Sequence, residues 1–242
     1  MKIIRQKKDL NRIVKTKNIS FVPTMGGLHK GHEFLVKKAS QKNSVVLVSI
    51  FVNPKQFNSK KDFLTYPRNF KNDIRILKKL KVDYLYFPSF NDIFSFKTKN
   101  KIYMHPFSNK LCGKFRPGHF KGVLNVVNRL LELIKPKDIF LGQKDFQQLV
   151  LIKKHIIKNK INTAVNSINT IRSKGLLPYS SRNFNLNKSE KKFALKVFSV
   201  IKKEKKLIKK NHYKKINLNF LKKRLEVLGI KKIDYLEAIN IS

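Results

Sequence analysis

Apolar residues fall along this chain in two kinds of pattern: short continuous runs, and longer stretches that carry them every third or fourth position. The run "ISFV" at 19–22, ending at Pro23, and the longer β-branched run "VVLVSIFV" at 45–52 have strand character. Between them "HEFLVKKASQK" spaces Phe34, Leu35 and Ala39 as a helix does. Strand, glycine loop, helix and strand make a βαβ unit. The second strand is apolar but for Ser49, as a parallel strand covered on both faces is. The alternation continues. "NFKNDIRILKKLKV" predicts a helix and "DYLYFP" a strand. "FKGVLNVVNRLLELIKP" predicts an amphipathic helix stopped by Pro136. "DIFLG" then reads as a strand, "DFQQLVLIKKHIIKN" as a helix and "INTAVNSINTIR" as extended chain. This order predicts an α/β fold, a doubly wound parallel sheet, over residues 1–167. After "SSRNFNLN" two lysine-rich helical stretches lead to "KIDYLEAINI", read as a final strand. Residues 168–242 therefore predict a small C-terminal α+β domain.

Composition changes the picture in one respect. The chain has 55 Lys and Arg against 14 Asp and Glu, a formal charge of +41 over 242 residues. Such a balance raises nucleic-acid binding as a function class. The lysines, however, are spread over nearly every predicted polar helix face and gathered in no single block. That distribution reads as compositional drift, with weak polyanion binding expected at low salt. One cysteine, Cys112, rules out an intramolecular disulfide and fits a reducing compartment. "MKIIRQKKDLNRIVK" lacks the apolar stretch of a signal peptide. No run approaches the roughly 20 apolar residues that span a membrane. The expected location is the cytoplasm.

In an open parallel sheet, ligands bind beyond the carboxyl ends of the strands, where helix N-termini favour anions. Five such turns carry unusual residues. "PTMGGLHKGH" has glycines 26, 27 and 31, which allow tight turning and close backbone approach, with His29 and His32 at a helix start. At i, i+3 the two imidazoles share a face and can meet a phosphate chain; as metal ligands they lack a third partner. "FLGQKDFQQL" offers Lys144 to a phosphate and the amides of Gln147 and Gln148 to a polar substrate, or simply a helix capped by Asp145. "FVNPKQF" carries Asn53 and Gln56, "RPGHF" carries Arg116 and His119, and "YSSRN" carries Ser180, Ser181 and Arg182. The inventory is cationic and rich in amides, with no carboxylate pair and no nucleophile–base set. It suits anion binding and the positioning of reactants.

These stretches carry a resemblance. "PTMGGLHKGHEFLVKKA", "VSIFVNPKQF", "YPRNFKND", "FRPGHFKGV", "GQKDFQQLVLIKK" and "SSRN" follow the order and approximate spacing of the pantoate–β-alanine ligases, within the H-x-G-H nucleotidyltransferases. The likeness is dense over 19–186. It implies a Rossmann-like domain with a small C-terminal lid, a homodimer formed through the N-terminal domain, and a two-step reaction. In that reaction the carboxylate of (R)-pantoate attacks the α-phosphorus of ATP, giving pantoyl-adenylate and pyrophosphate. The amine of β-alanine then attacks the adenylate, giving pantothenate and AMP. Mg2+ is implied as a companion of the ATP phosphates, with no protein metal site.

Carried over by position, the resemblance gives catalytic roles to His32 (proton donor), His29 and Lys144. It assigns ATP binding to Met25, Gly26, Gly27, Leu28, His29, Lys30, Gly31 and His32, to Gly142, Gln143, Lys144 and Asp145, to Ile171, and to Tyr179, Ser180, Ser181 and Arg182. Pantoate and β-alanine fall to Gln56 and Gln148, with Asn53, Arg116 and His119 beside them. The chain departs from the family pattern at Gly27, at Lys30 between the histidines, which makes the loop more positive, at Gln143, and at Pro178 and Tyr179. It also ends soon after "DYLEA", which implies a shortened lid and a leakier second step. Two alternatives stay open: an H-x-G-H nucleotidyltransferase with another acceptor, and a degenerate lysine-rich homologue that binds RNA.

Overall fold

The computed structural model describes residues 1–14, 18–174, 177–210, 218–237 and 239, the side chains of 206–210 excepted. In chain order the strands and α-helices are β1 (Lys2–Ile4), α1 (Lys7–Val14), β2 (Ile19–Thr24), α2 (Lys30–Ala39), β3 (Val45–Ile50), α3 (Lys60–Leu64), α4 (Phe70–Lys79), β4 (Tyr84–Tyr86), α5 (Phe90–Phe94), α6 (Cys112–Phe115), α7 (His119–Ile134), β5 (Asp138–Gly142), α8 (Phe146–Lys158), β6 (Ala164–Ile168), α9 (Lys188–Lys210) and α10 (Leu218–Val227). The described residues fall into two compact units. The larger is Met1–Ile171 with Tyr179–Arg182; the smaller is Arg172–Pro178 with Asn183–Ser242.

The larger unit is built on a six-stranded sheet in the order β1-β4-β3-β2-β5-β6, every pair parallel. Its two central strands are the apolar runs read from the sequence. Phe21 lies opposite Leu47 and Val22 opposite Val48. Strand alternation sends these pairs to opposite faces, and both faces are dry: all four side chains are fully buried. On one face Val22, Val46, Val48 and Ile50 form a core with Val36 and Ala39 of α2 and Leu77 of α4. Each Val, Ile or Leu among them contributes about 1.5–3 kcal/mol by leaving water.

Local signals set the helix starts. Asn69 caps α4, and Ser89 and Asp92 form a capping box at α5. Of the predicted elements, the strands at 19, 45, 83 and 138 and the helices between them are where the pattern put them. Strand β1 and helix α1 were not read; β1 is three residues long and pairs at the edge with β4, too short for a periodic signal.

The order of the sheet places the site. From β2 the chain steps through β3 to β4 on one side. It then returns to lay β5 against the other side of β2. Connections leaving β2 and β5 diverge, and a crevice opens beyond their carboxyl ends.

The smaller unit carries α9 and α10, matching the two predicted lysine-rich helices. Leu221 and Leu225 of α10 are buried, Arg224 bonds Glu204, and the Arg172 guanidinium lies 4.4 Å from the Phe198 ring centre. Residues 232–237 and 239, read as part of a final strand, form none. The rest of that stretch, 238, 240 and 241, lies outside the described residues.

Candidate active site

The turn after β2 is the first wall of the crevice. His29 is the N-cap of α2 and accepts the Gly31 N–H at Nδ1 (3.1 Å), so its neutral ring carries the proton on Nε2. The ring folds so closely over Gly31 that a Cβ there would lie 2.9 Å from His29 Cε1. Glycine in the H-x-G-H pattern thus leaves space for this ring pose, which any side chain at 31 would displace. One turn on, His32 stacks on His29 with ring centres 3.9 Å apart, and its Nδ1 is enclosed without a hydrogen-bond partner. Burial and then the positive charge of Lys144 lower His29 to about 4. Burial, then His29 and Lys144, hold His32 well below the ordinary histidine value. Both rings are neutral at neutral pH.

The turn after β5 faces the first. Lys144 and Asp145 lead from β5 into α8 and pair with each other at 2.9 Å, both substantially exposed. Gln148 lines the cleft. Gln147 turns away: its buried amide donates to the carbonyls of Phe107 (2.8 Å) and Lys110 (2.7 Å), tying that turn to α8. Between the two walls comes the stretch 179–182. Ser181 donates to the Gly27 carbonyl at 3.0 Å, Tyr179 stacks near His29, and Arg182 forms a paired contact with Asp62 at 3.0 and 2.8 Å. That contact raises Arg182 further and lowers Asp62.

Gln56 occupies the third side in a fixed pose. Its Nε2 donates to Met25 Sδ (3.0 Å), its Oε1 accepts from Asn53, and its carbonyl accepts from His119 Nδ1 at 2.6 Å. Arg116 stands 3.5 Å from the other nitrogen of His119. These walls enclose an open cleft of about 1500 Å3, including solvent at its mouth, all of it lined by the larger unit.

The cleft gathers most of the residues singled out from sequence: Met25, His29, Gly31, His32, Gln56, Arg116, His119, Gly142, Lys144, Asp145, Gln148, Ile171, Tyr179, Ser180, Ser181 and Arg182. Six lie elsewhere. Asn53 is wholly buried and does not reach the cleft; it bonds Gln56 and the Gly122 carbonyl, so it supports a residue that lines the cleft. Gly26, Gly27 and Leu28 sit behind the wall, the last two giving their N–H groups to Asp73. Lys30 points outward and pairs with Glu33 at 3.1 Å, which cancels its expected effect on the loop. Gln143 is exposed outside the lining.

Comparison with known proteins decides what this cleft belongs to. The family model described as pantoate-beta-alanine ligase matches residues 2–242. The chain belongs to the pantoate-beta-alanine ligase family. A pantothenate synthetase of Francisella tularensis subsp. novicida is 41% identical over 233 residues, covering 95% of this chain and 85% of the relative. A crystal structure of the Francisella tularensis ligase complexed with beta-gamma ATP and beta-alanine superposes with a TM-score of 0.88 at 39% identity, covering 99% of this chain and 90% of that one. The Thermus thermophilus pantothenate synthetase gives 0.88 at 29% identity, covering 97% and 86%. As a member of this family the chain is an ATP-dependent carbon–nitrogen ligase joining pantoate and β-alanine.

In the ligase cleft the sequence reading missed residues in plain view. Tyr66 lines the cleft and reaches Ser181 at 3.4 Å, while Thr24, Phe57, Asn169 and Thr170 complete the wall. Tyr66 and Asp73 both stand in the quoted "YPRNFKND". They carried no signal because nothing local says that the loop before α4 returns to the glycine turn.

Proposed function

We propose that the cleft performs both steps of the ligation with the following division of labour. ATP lies along the β2 and β5 turns, with its phosphates between the start of α2 and Lys144. Gln56 and Gln148 hold pantoate so that its carboxylate faces the α-phosphorus. Arg116 and His119 stand beside them for the carboxylates of pantoate and β-alanine. Attack at phosphorus builds charge on the phosphoryl oxygens and on the departing pyrophosphate. His32, as a neutral N–H donor, and His29, donating from Nε2, meet that charge at fixed positions, while Lys144 supplies the full positive charge. The unprotonated amine of β-alanine then attacks the adenylate carbonyl, expelling AMP. The observation that carries this reading is the stacked neutral pair of His29 and His32 beside Lys144, lining one cleft with Gln56 and Gln148.

Mg2+ fits this donor set as a companion of the phosphates. Among the described residues no cluster of three His, Cys, Asp or Glu could hold a metal, and Asp145 is the single carboxylate among those lining the cleft wall. An ion held by phosphate oxygens, waters and at most one carboxylate matches the habit of Mg2+. It would neutralise phosphate charge there. Further readings rest on the family likeness: a homodimer formed through the larger unit, and a cytoplasmic setting, which the free Cys112 suits. No described helix is long and apolar enough to cross a membrane.

The purified protein should exchange pyrophosphate into ATP with (R)-pantoate and Mg2+ alone, and form AMP when β-alanine is added. Well-folded protein that does neither overturns the proposal, and tight, salt-resistant RNA binding in its place would point to the degenerate homologue.

A further inference from the structure

Asp73 is the most unusual charged group outside the cleft. It lies in the first turn of α4, yet it does not serve that helix alone: it is 1% exposed, and both carboxylate oxygens reach the glycine turn. Oδ2 accepts the Gly27 N–H at 2.9 Å and Oδ1 the Leu28 N–H at 2.8 Å. Among the described residues no cation pairs with it. A buried carboxylate without a counter-ion is costly, and is retained where its hydrogen bonds hold something in place. What it holds is a pair of left-handed residues, Gly26 at φ 78° and Gly27 at φ 60°, between Met25 and His29. The fit is tight, since a Cβ on Gly26 would lie 3.0 Å from Asp73 Oδ2.

We propose that Asp73 is a positioning residue for adenylation: an internal anion that fixes the Gly26–Leu28 turn and through it the pose of Met25 and His29. The consequence for ligand binding is specific. A glycine turn before a helix can offer its N–H groups to phosphate. Here two of those groups are already spent on Asp73, on the side away from the cleft. Phosphate recognition falls to side chains, chiefly His29, His32 and Lys144, and their placement depends on α4. This inference rests on the ligase reading above.

The test is Asp73→Asn. The amide keeps one acceptor oxygen and turns an NH2 toward the other backbone N–H, so one of the two bonds is lost with little change of volume. Pantoate-dependent pyrophosphate exchange should fall about 10- to 100-fold in kcat, the scale of a small misplacement of reacting groups, with the fold retained by circular dichroism. Combined with His29→Ala, the loss should be smaller than the product of the two single losses, because both act through one imidazole. Wild-type kcat in folded Asp73→Asn, or losses that multiply, overturns the proposal. Amide hydrogen exchange at Gly27 and Leu28 reads the contact without any reaction. Protection present in wild type should be lost at one of the two amides in the variant, and unchanged protection at both overturns the assignment even if the wild-type chain proves inactive, a result that would instead defeat the ligase reading. Should Asp73→Asn not fold, Gly26→Ala presses on the same oxygen from the other side, and wild-type kcat there is equally fatal.

Discussion

The turns after β2 and β5 end neighbouring parallel strands, open helices of similar length and face one cleft, but they are built on opposite plans. The β2 turn is dry. Its imidazoles are neutral, one ring is locked onto Gly31, and the backbone behind is bonded to Asp73. The β5 turn is wet, with Lys144 and Asp145 charged, paired and open to solvent. Under the proposed division of labour, the difference reflects what each can contribute to phosphoryl chemistry. Directional hydrogen bonds to a developing charge require fixed donors, which cost reorganisation if they must move. A lysine acts as a point charge on a flexible stem and needs no such fixing. The wet turn also controls the dry one, since Lys144 helps to keep both histidines unprotonated.

The contrast can be broken at its strongest point first. His32→Ala removes a fixed donor and should lower pyrophosphate exchange by about 10³-fold or more, the upper range for one proton-handling group, with the thermal midpoint nearly unchanged. Exchange at wild-type rate would remove His32 from the chemistry. Lys144→Ala should cost about 10²-fold, as loss of one electrostatic stabiliser does. It should also raise the His29 pKa in an NMR titration, and a histidine pKa that stays put would show that burial alone sets it.

Acid exposes the dry turn next. Both imidazoles titrate below their ordinary value in the folded chain, so the unfolded chain takes up protons first as pH falls. Stability from the neutral rings is whole above about 6.5 and is lost as the pH drops toward about 4. Denaturant titrations should show the ligand-free protein losing about 1–2 kcal/mol from His29 alone between about pH 7 and pH 5, solvent screening of the half-buried ring included. A His29→Asn variant should lose correspondingly less. The smallest effect belongs to the residue beside the wet turn that does not join it. Gln147→Ala should destabilise by about 1–3 kcal/mol through the loss of its two hydrogen bonds, to carbonyls that each keep a backbone donor, while KM for ATP stays near wild type. A large rise in that KM would place Gln147 in the cleft after all.

Much of this was legible beforehand. The strands at β2, β3 and β5 announce themselves as continuous apolar runs, because a strand covered on both faces has no polar side to show. The turns that follow them drew attention through residue types a plain loop does not need. What escaped was whatever depends on a distant partner or on the direction a side chain takes. Lys30 seemed to charge the loop, but Glu33 lies one helical turn away on the same face. Asn53 sat in the right motif at the right spacing, yet its side chain turns inward to Gln56 and Gly122. Arg182 reads as a free phosphate ligand until Asp62, 120 residues earlier, is found beside it.

Taken alone, the sequence determined the alternating architecture, the helix starts and the chemical types at each turn, because periodicity and capping are local properties. It also determined the family, since six linked motifs in one order are far more specific than any one of them. Only the tertiary structure decided which of those residues face the cleft, which histidine nitrogen carries the proton, and that a buried aspartate on α4 fastens the glycine turn. These are matters of protonation, burial and pairing across the sheet. They follow from which surfaces the fold removes from water together, and no local pattern records that.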